Sequence, residues 1–239
     1  MLLSTSSSMS AIDVRLTPGY YFRSHDLEPH VSRLLACPSV FAIKDATASL
    51  LSRAGGRLQG ETGGVIEEGA LLQGDVFVQA GARVEAGAQI VGPVLICTGA
   101  VVAAGALVRD HSVIGPGCRI GFGAEITRSL LAGQVFMKHP CFVGDSVIGS
   151  GVNLGSFCST TGMRCDRGPV AEPAVEEITV NLGGRRISTG QTKFGAVIGD
   201  GVTLPAGTVL SPGTLIGPGT VVYPRDHIGG FLPAGTRVR

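Results

Sequence analysis

Aliphatic residues recur at every sixth position through the middle of the chain: Ile66, Leu72, Val78, Val84, Ile90, Ile96, Val102, Val108, Ile114, Ile120 and Ile126 follow one another without a slip. The pattern pauses, returns at Phe142, Ile148 and Leu154, pauses again, and closes with Ile198, Leu204, Leu210, Ile216, Val222 and Ile228. Four residues after most of these comes a small or thin side chain, among them Ala70, Ala88, Ala106, Ala124, Cys118, Thr208 and Thr220. A period of six matches neither the 3.6 of a helix nor the alternation of a hairpin, but it fits a triangular coil in which each hexapeptide is one flat side. Three sides close a turn, so each inward aliphatic stacks on its counterpart one coil away, and small residues and glycines turn the crowded corners. The expected fold is all-β, a left-handed parallel β-helix, and its twenty periodic positions imply roughly seven coils.

Two stretches break the period. Residues 133–141, GQVFMKHPC, place Lys138 and His139 beside a proline that a strand interior accommodates poorly, and predict a loop leaving the prism. Residues 161–195 contain EITVNL, the turn Gly183-Gly184 and RRIST, which predict a projecting β-hairpin inserted between coils. Residues 1–55 carry none of the repeat. After a Ser-rich tail with Met9 as a second possible start, HDLEPHVSRLLAC and SVFAIKDATASLLSR read as two short amphipathic helices, a cap or docking arm on a β-helix domain at 56–239.

Composition narrows the partners. Thirty-seven glycines, thirteen prolines and no tryptophan suit short strands and tight corners. A formal charge of +1 argues against nucleic acid or an anionic membrane, both of which need a dense basic patch. Six scattered cysteines without a CxxC pair read as free thiols, and neither a signal peptide nor an apolar run of membrane-spanning length is evident, so a cytoplasmic location is expected.

The run HPCFVGDSVIGSGVNLGSF, the hairpin, and TKFGAVIGDGVTLPAGTVL together resemble the acetyltransferase domain of bifunctional glucosamine-1-phosphate acetyltransferase/N-acetylglucosamine-1-phosphate uridylyltransferases, especially the archaeal type, over about residues 65 to 230. The GTRM-type glycine-rich loop of their nucleotide-binding domain is not found, and GPGCRIG lies within the six-residue register, so pyrophosphorylase activity is not expected. The resemblance implies acyl transfer from acetyl-CoA, or another acyl-CoA, to an amino- or hydroxy-bearing sugar, sugar phosphate or sugar nucleotide, within a homotrimer whose prisms share CoA grooves.

It also assigns roles. His139 matches the general base, a task suited to imidazole because its ordinary pKa near 6.5 leaves it neutral but basic. Arg109 matches a phosphate-binding arginine, predicted to lie directly against Thr127 on the next coil; Lys193 matches a phosphate-contacting lysine, Asn153 lies in the matched VNLG turn, and the backbone N–H of Ser156 matches the oxyanion donor. Phe142, Gly162 and Thr127 replace the family's site tyrosine, amine-orienting asparagine and phosphate-binding lysine, so glucosamine 1-phosphate is expected to bind poorly. Plainer readings stand beside these: a loop histidine with one structural hydrogen bond, solvated cations, and a turn-stabilising asparagine. Of five histidines, His111, His139 and His227 fall on the prism without the paired-histidine signature of γ-type carbonic anhydrases, so no metal is expected. The rival function is a non-catalytic scaffold or sugar-phosphate-binding protein that lost activity.

Overall fold

The computed structural model describes residues 13–23, 27–53, 63–164, 168–169, 171–172, 175–224 and 227–239. The Ser-rich start, His25 and Cys165 lie outside the described residues. The chain is a left-handed parallel β-helix with three faces, of nine, eight and eight strands. Face A runs from Val65–Ile66 to Arg237–Val238, face B from Leu71–Gln73 to His227–Ile228, and face C from Val76–Val78 to Phe231–Leu232.

The stacking is the one the period implies: Val84 pairs with Val102, Ile90 with Val108 and Ile96 with Ile114, each eighteen residues on. These side chains are buried in one continuous interior. There are about nine coils, against the seven expected, because five inward positions escape a strict sixfold count: Leu131, Met137, Thr160, Leu232 and Val238. Thr160 is tolerated inside because its hydroxyl takes the Gly144 N–H at 2.8 Å and donates to the Gly144 carbonyl at 3.2 Å.

The expected loop at 133–141 is instead a regular side, with Phe136–Met137 paired to Arg119–Ile120 and Val135 and Met137 fully buried. The cause is a pair of shortened corners. Where face B turns into face C, Arg128 and Asp145 each make the corner as a single residue with positive φ (45° and 51°), whereas the coil above spends two, Asp110 and His111 (52° and 56°). Each shortened side holds five residues, so the register drops to seventeen: Ala124 pairs with Cys141 and Leu130 with Val147. Phe142 is thereby displaced from the interior position it was assigned; Val143 points inward, and Phe142 lies outward between Glu125 and Ser159.

Face C differs in kind from the other two. Strands on face A alternate an outer with a buried residue, as in Arg83–Val84 and Arg119–Ile120. Face C strands are apolar on both sides, as in Val76–Val78, Val94–Ile96 and Ala196–Ile198, and a sheet of that pattern needs cover. The cover is the N-terminal segment, which lies along this flank rather than over an end. Tyr21 of α1 (Pro18–Tyr21), Val31 and Leu34 of α2 (Pro29–Leu35), and Ile43 and Leu51 of α3 (Ile43–Arg53) pack on Phe77, Leu95, Val113, Leu130, Val147, Val197 and Leu215. Pro29 opens α2 where no N–H is needed, and Glu28 caps it by accepting from the Val31 N–H at 2.9 Å.

The inserted segment leaves the prism after Thr160 and forms the antiparallel hairpin Thr179–Leu182/Arg185–Ser188. It folds back beside the N-terminal segment, burying Ile178, Val180 and Phe194 in the same apolar cluster.

Candidate functional site

Most of the residues singled out from the sequence lie on face B or at its two edges, Asn153 on face A being the exception. The edge shared with face A stacks equivalent corner residues Ala86, Ala104, Phe122, His139 and Ser156; Phe157 donates its N–H to the Pro140 carbonyl at 2.6 Å, which fixes His139 and Ser156 as neighbours on adjoining coils. His139 is exposed on this corner, Phe157 beside it is 69% exposed, and the Lys138 ammonium lies 5.4 Å from the Phe136 ring centroid.

The backbone N–H at this corner position faces outward and seeks an acceptor. At Ala86 it donates to Glu67 Oε2 at 3.0 Å, and at Ala104 to Glu85 Oε2 at 3.3 Å, the carboxylate in each case rising from the coil above. Above Ser156 the corresponding residue is Lys138, which accepts nothing, and the Ser156 N–H has no acceptor among the described residues. A donor left open beside a cation is suited to an anionic oxygen.

The opposite edge, shared with face C, carries Arg109, Thr127 and Gly162. Arg109 and Thr127 are register partners, as expected, and both belong to a web of charge. Arg109 donates to Glu125 at 2.7 Å and also pairs with Asp110; Arg128 grips Asp145 through Nε and Nη2 at 2.8 Å each; Lys44, from α3, reaches Asp145 at 3.3 Å. The Thr127 hydroxyl donates to Asp110 at 3.2 Å and is fully buried. Burial pushes the Asp145 carboxyl upward, but hydrogen bonding and charge from Arg128 and Lys44 outweigh it and hold the group below its ordinary value. The web therefore sets Lys44, Arg109 and Arg128 against Asp110, Glu125 and Asp145, three charges of each sign.

Between the edges lies Phe142, whose ring passes so close to Gly144 that a Cβ there would sit 2.8 Å from it. At Gly162 a Cβ would meet Asp145 Oδ2 at 3.1 Å, so the carboxylate stands where a longer side chain would have to pass. Lys193 is exposed near this edge, its carbonyl accepting from Lys44, and Phe194 next to it donates to the Gly162 carbonyl at 2.8 Å. Asn153 is not in a turn; it is an exposed strand residue on face A, between Phe136 and Thr203. The two edges are about 13 Å apart along the strand, from the four residue steps that lead from Pro140 to Gly144 at about 3.3 Å each. No cluster of three or more metal-ligating side chains occurs among the described residues.

The sequence reading missed Lys44, Glu125, Arg128 and Asp145. For Arg128 and Asp145 the signal was available: with Asp110 they follow at one-coil spacings of eighteen and seventeen with alternating sign.

The family described as the GMPPB C-terminal domain matches residues 90–215. The bifunctional protein GlmU of Methanocaldococcus jannaschii is 38% identical over 139 residues, 58% of this chain and 32% of that protein. The putative uncharacterized acetyltransferase YaiX of Escherichia coli is 33% identical over 125 residues, 52% of this chain and 51% of its own length. The chain thus spans about a third of the first of these relatives and about half of the second. A UDP-N-acetylglucosamine acyltransferase from Campylobacter jejuni overlaps 71% of this chain and 67% of its own at 18% identity and a TM-score of 0.27, a superposition too loose to bear on function.

Proposed function

The chain belongs to the GMPPB C-terminal domain family, matched over more than half its length, and from that premise we propose that it transfers an acyl group, acetyl in the first instance, from acyl-CoA to an amine or hydroxyl of a sugar, sugar phosphate or nucleotide sugar. One observation carries the reading: the His139 imidazole and the open Ser156 N–H occupy the same corner on adjoining coils. His139 takes the proton from the attacking amine or hydroxyl as its lone pair adds to the thioester carbonyl. The Ser156 N–H, with Lys138 nearby, stabilises the oxyanion that forms, a contribution typically worth about 2.7–4 kcal/mol per donor. Collapse of the intermediate breaks the C–S bond, and the departing thiolate takes the proton back from His139.

In this reading the phosphate of glucosamine 1-phosphate is not the anchor. Arg109 is already neutralised by Glu125 and Asp110, Thr127 is buried and bonded, Phe142 offers no hydrogen bond, and Lys193 is the one cation at that edge without a carboxylate partner among the described residues. A neutral acceptor, or one whose phosphates lie away from this edge, fits better. The resemblance seen in the sequence implies a homotrimer as the active form, in which a neighbouring prism would lie along the exposed corner. The same neutralised edge favours a second reading, a scaffold or sugar-binding protein without turnover.

Release of CoA from acetyl-CoA, measured over a panel of amino sugars, sugar phosphates and UDP- or dTDP-sugars, separates the two. Acceptor-dependent release that falls by about 10²-fold or more in His139→Ala supports transfer. Absence of release, with sugar ligands still raising the melting temperature, supports the scaffold.

A further inference from the structure

Two cysteines that the acyl-transfer reading does not use lie directly beneath the candidate site. The first inward position of face B is a column of small residues, Ala70, Ala88, Ala106, Ala124, Cys141, Cys158 and Thr208. Cys141 and Cys158 are consecutive in it, since Phe142 pairs with Ser159 and donates its N–H to the Cys158 carbonyl at 2.9 Å. Cys118, by contrast, stands alone in its own column between Ala100 and Val135. Neighbouring coils lie about 4.8 Å apart, which places the two Cα atoms within the window of about 4.4–6.8 Å that a disulfide spans. Each thiol donates to a carbonyl of its neighbouring coil, Cys141 Sγ to Gly155 and Cys158 Sγ to Pro205, 3.1 Å each, and the Cys158 side chain beside it draws the Cys141 thiol down to about 7 while Cys158 is pushed up. The pair thus holds one negative charge readily, the condition under which a thiol is nucleophilic.

We propose that Cys141 and Cys158 form a reversible disulfide linking two coils immediately behind His139 and Ser156. With a peroxide as oxidant, the Cys141 thiolate attacks an oxygen of hydrogen peroxide, and the O–O bond breaks to give a sulfenic acid and, after one proton, water. The Cys158 sulfur then displaces hydroxide from that sulfenic acid, the S–S bond forms, and a second water leaves, so two thiols give up two electrons to one peroxide. His139 lies two residues before Cys141 and Ser156 two before Cys158. Drawing the two Cβ atoms from strand spacing to the about 3.8 Å of a disulfide pulls these corner turns together, changing the spacing between imidazole and N–H. That last consequence rests on the acyl-transfer reading; the disulfide itself does not.

The test uses the full reduced chain treated with a few equivalents of hydrogen peroxide and mapped by peptide mass spectrometry. The expected product is a Cys141–Cys158 cross-link that dithiothreitol reverses, with Cys118, whose thiol burial pushes up to about 12, left as a free thiol. In Cys158→Ala, which repeats the alanine found elsewhere in the column, Cys141 is expected to accumulate as a sulfenic acid trapped by dimedone. Both cysteines remaining fully alkylatable after oxidation overturns the proposal, whether or not the protein transfers acyl groups. Where transfer is measurable, oxidation should lower its rate on the order of tenfold or more, reversibly and in the wild type but not in Cys158→Ala; a cross-linked protein with unchanged rate overturns the control of the site.

Discussion

Replacing Asp145 by alanine removes one carboxylate from between two cations and leaves the cations where they are. Asp145 is 5% exposed in its side chain, Lys44 14% and Arg128 35%, so the charges stranded by the substitution are only partly able to rehydrate. Breaking a fully buried pair by removing one partner costs about 3–5 kcal/mol; Arg128 is a third exposed and keeps Asp110 at 3.7 Å, which lowers the expectation to about 2–3 kcal/mol. In a domain of this size one kcal/mol moves the midpoint by about 2–4 °C, so Asp145→Ala should melt about 4–12 °C below wild type in calorimetry at neutral pH. Lys44→Met should cost less than about 1 kcal/mol, because Asp145 retains its two-point contact with Arg128. The pH dependence has a definite sign. A carboxyl held below its ordinary value in the folded state stabilises above the unfolded value of about 3.9, and that stability is lost as pH falls through the folded value. The gap between wild type and Asp145→Ala should therefore narrow as pH falls below about 4, leaving the pH-independent strain of an alanine at positive φ. A gap under 1 °C at pH 7, or one that persists unchanged at pH 3, would refute the electrostatic account of this corner.

Three further outcomes follow from contacts described above. Leu95 points outward on face C yet is fully buried under the N-terminal segment, so Leu95→Ala should cost about 2–5 kcal/mol in denaturant unfolding, whereas a cost below about 0.5 kcal/mol would mean the flank is open. Gly121 carries a backbone so close to the Lys138 turn that a Cβ would sit 2.1 Å from the Lys138 carbonyl oxygen; Gly121→Ala should destabilise by about 1–3 kcal/mol and disturb His139, and full stability with full activity would contradict that packing. Glu125→Gln should leave Arg109 with Asp110 as its one carboxylate partner among the described residues and tighten binding of a hexose phosphate about two- to fivefold by isothermal calorimetry; unchanged affinity would show that Arg109 does not face the ligand.

The architecture was legible because one inward side chain per six residues is a constraint that triangular stacking imposes on every coil. Legibility failed where a corner dropped a residue. Arg128 and Asp145 turn with one left-handed residue, and nothing in their side chains distinguishes them from Asp110–His111, which uses two. From that one-residue shift came both the misplaced Phe142 and the loop expected around His139. At the site, the vertical pairing of Arg109 with Thr127 followed from coil arithmetic, while the charge balance around Asp145 did not, since Lys44 arrives from a helix about a hundred residues away in sequence. The open N–H of Ser156 was legible only by family resemblance; its physical basis is the exchange of an acceptor such as Glu67 or Glu85 for Lys138 one coil above.

The N-terminal segment touches face C from Phe77 to Leu215, seven successive rungs, a span of about 29 Å at 4.8 Å per rung. A bare solenoid is quasi-one-dimensional: each coil knows only its neighbours, and such stacks fray from their ends or break in the middle. A splint along the flank changes the statistics, because opening any rung now also loosens a segment shared with the others. Arg23 and Tyr21 tie that splint to Asp200, near the far end, through hydrogen bonds of 2.7 and 3.0 Å. The array should therefore behave as a single cooperative unit, with exchange-protection rising and falling together across coils that share no direct contact.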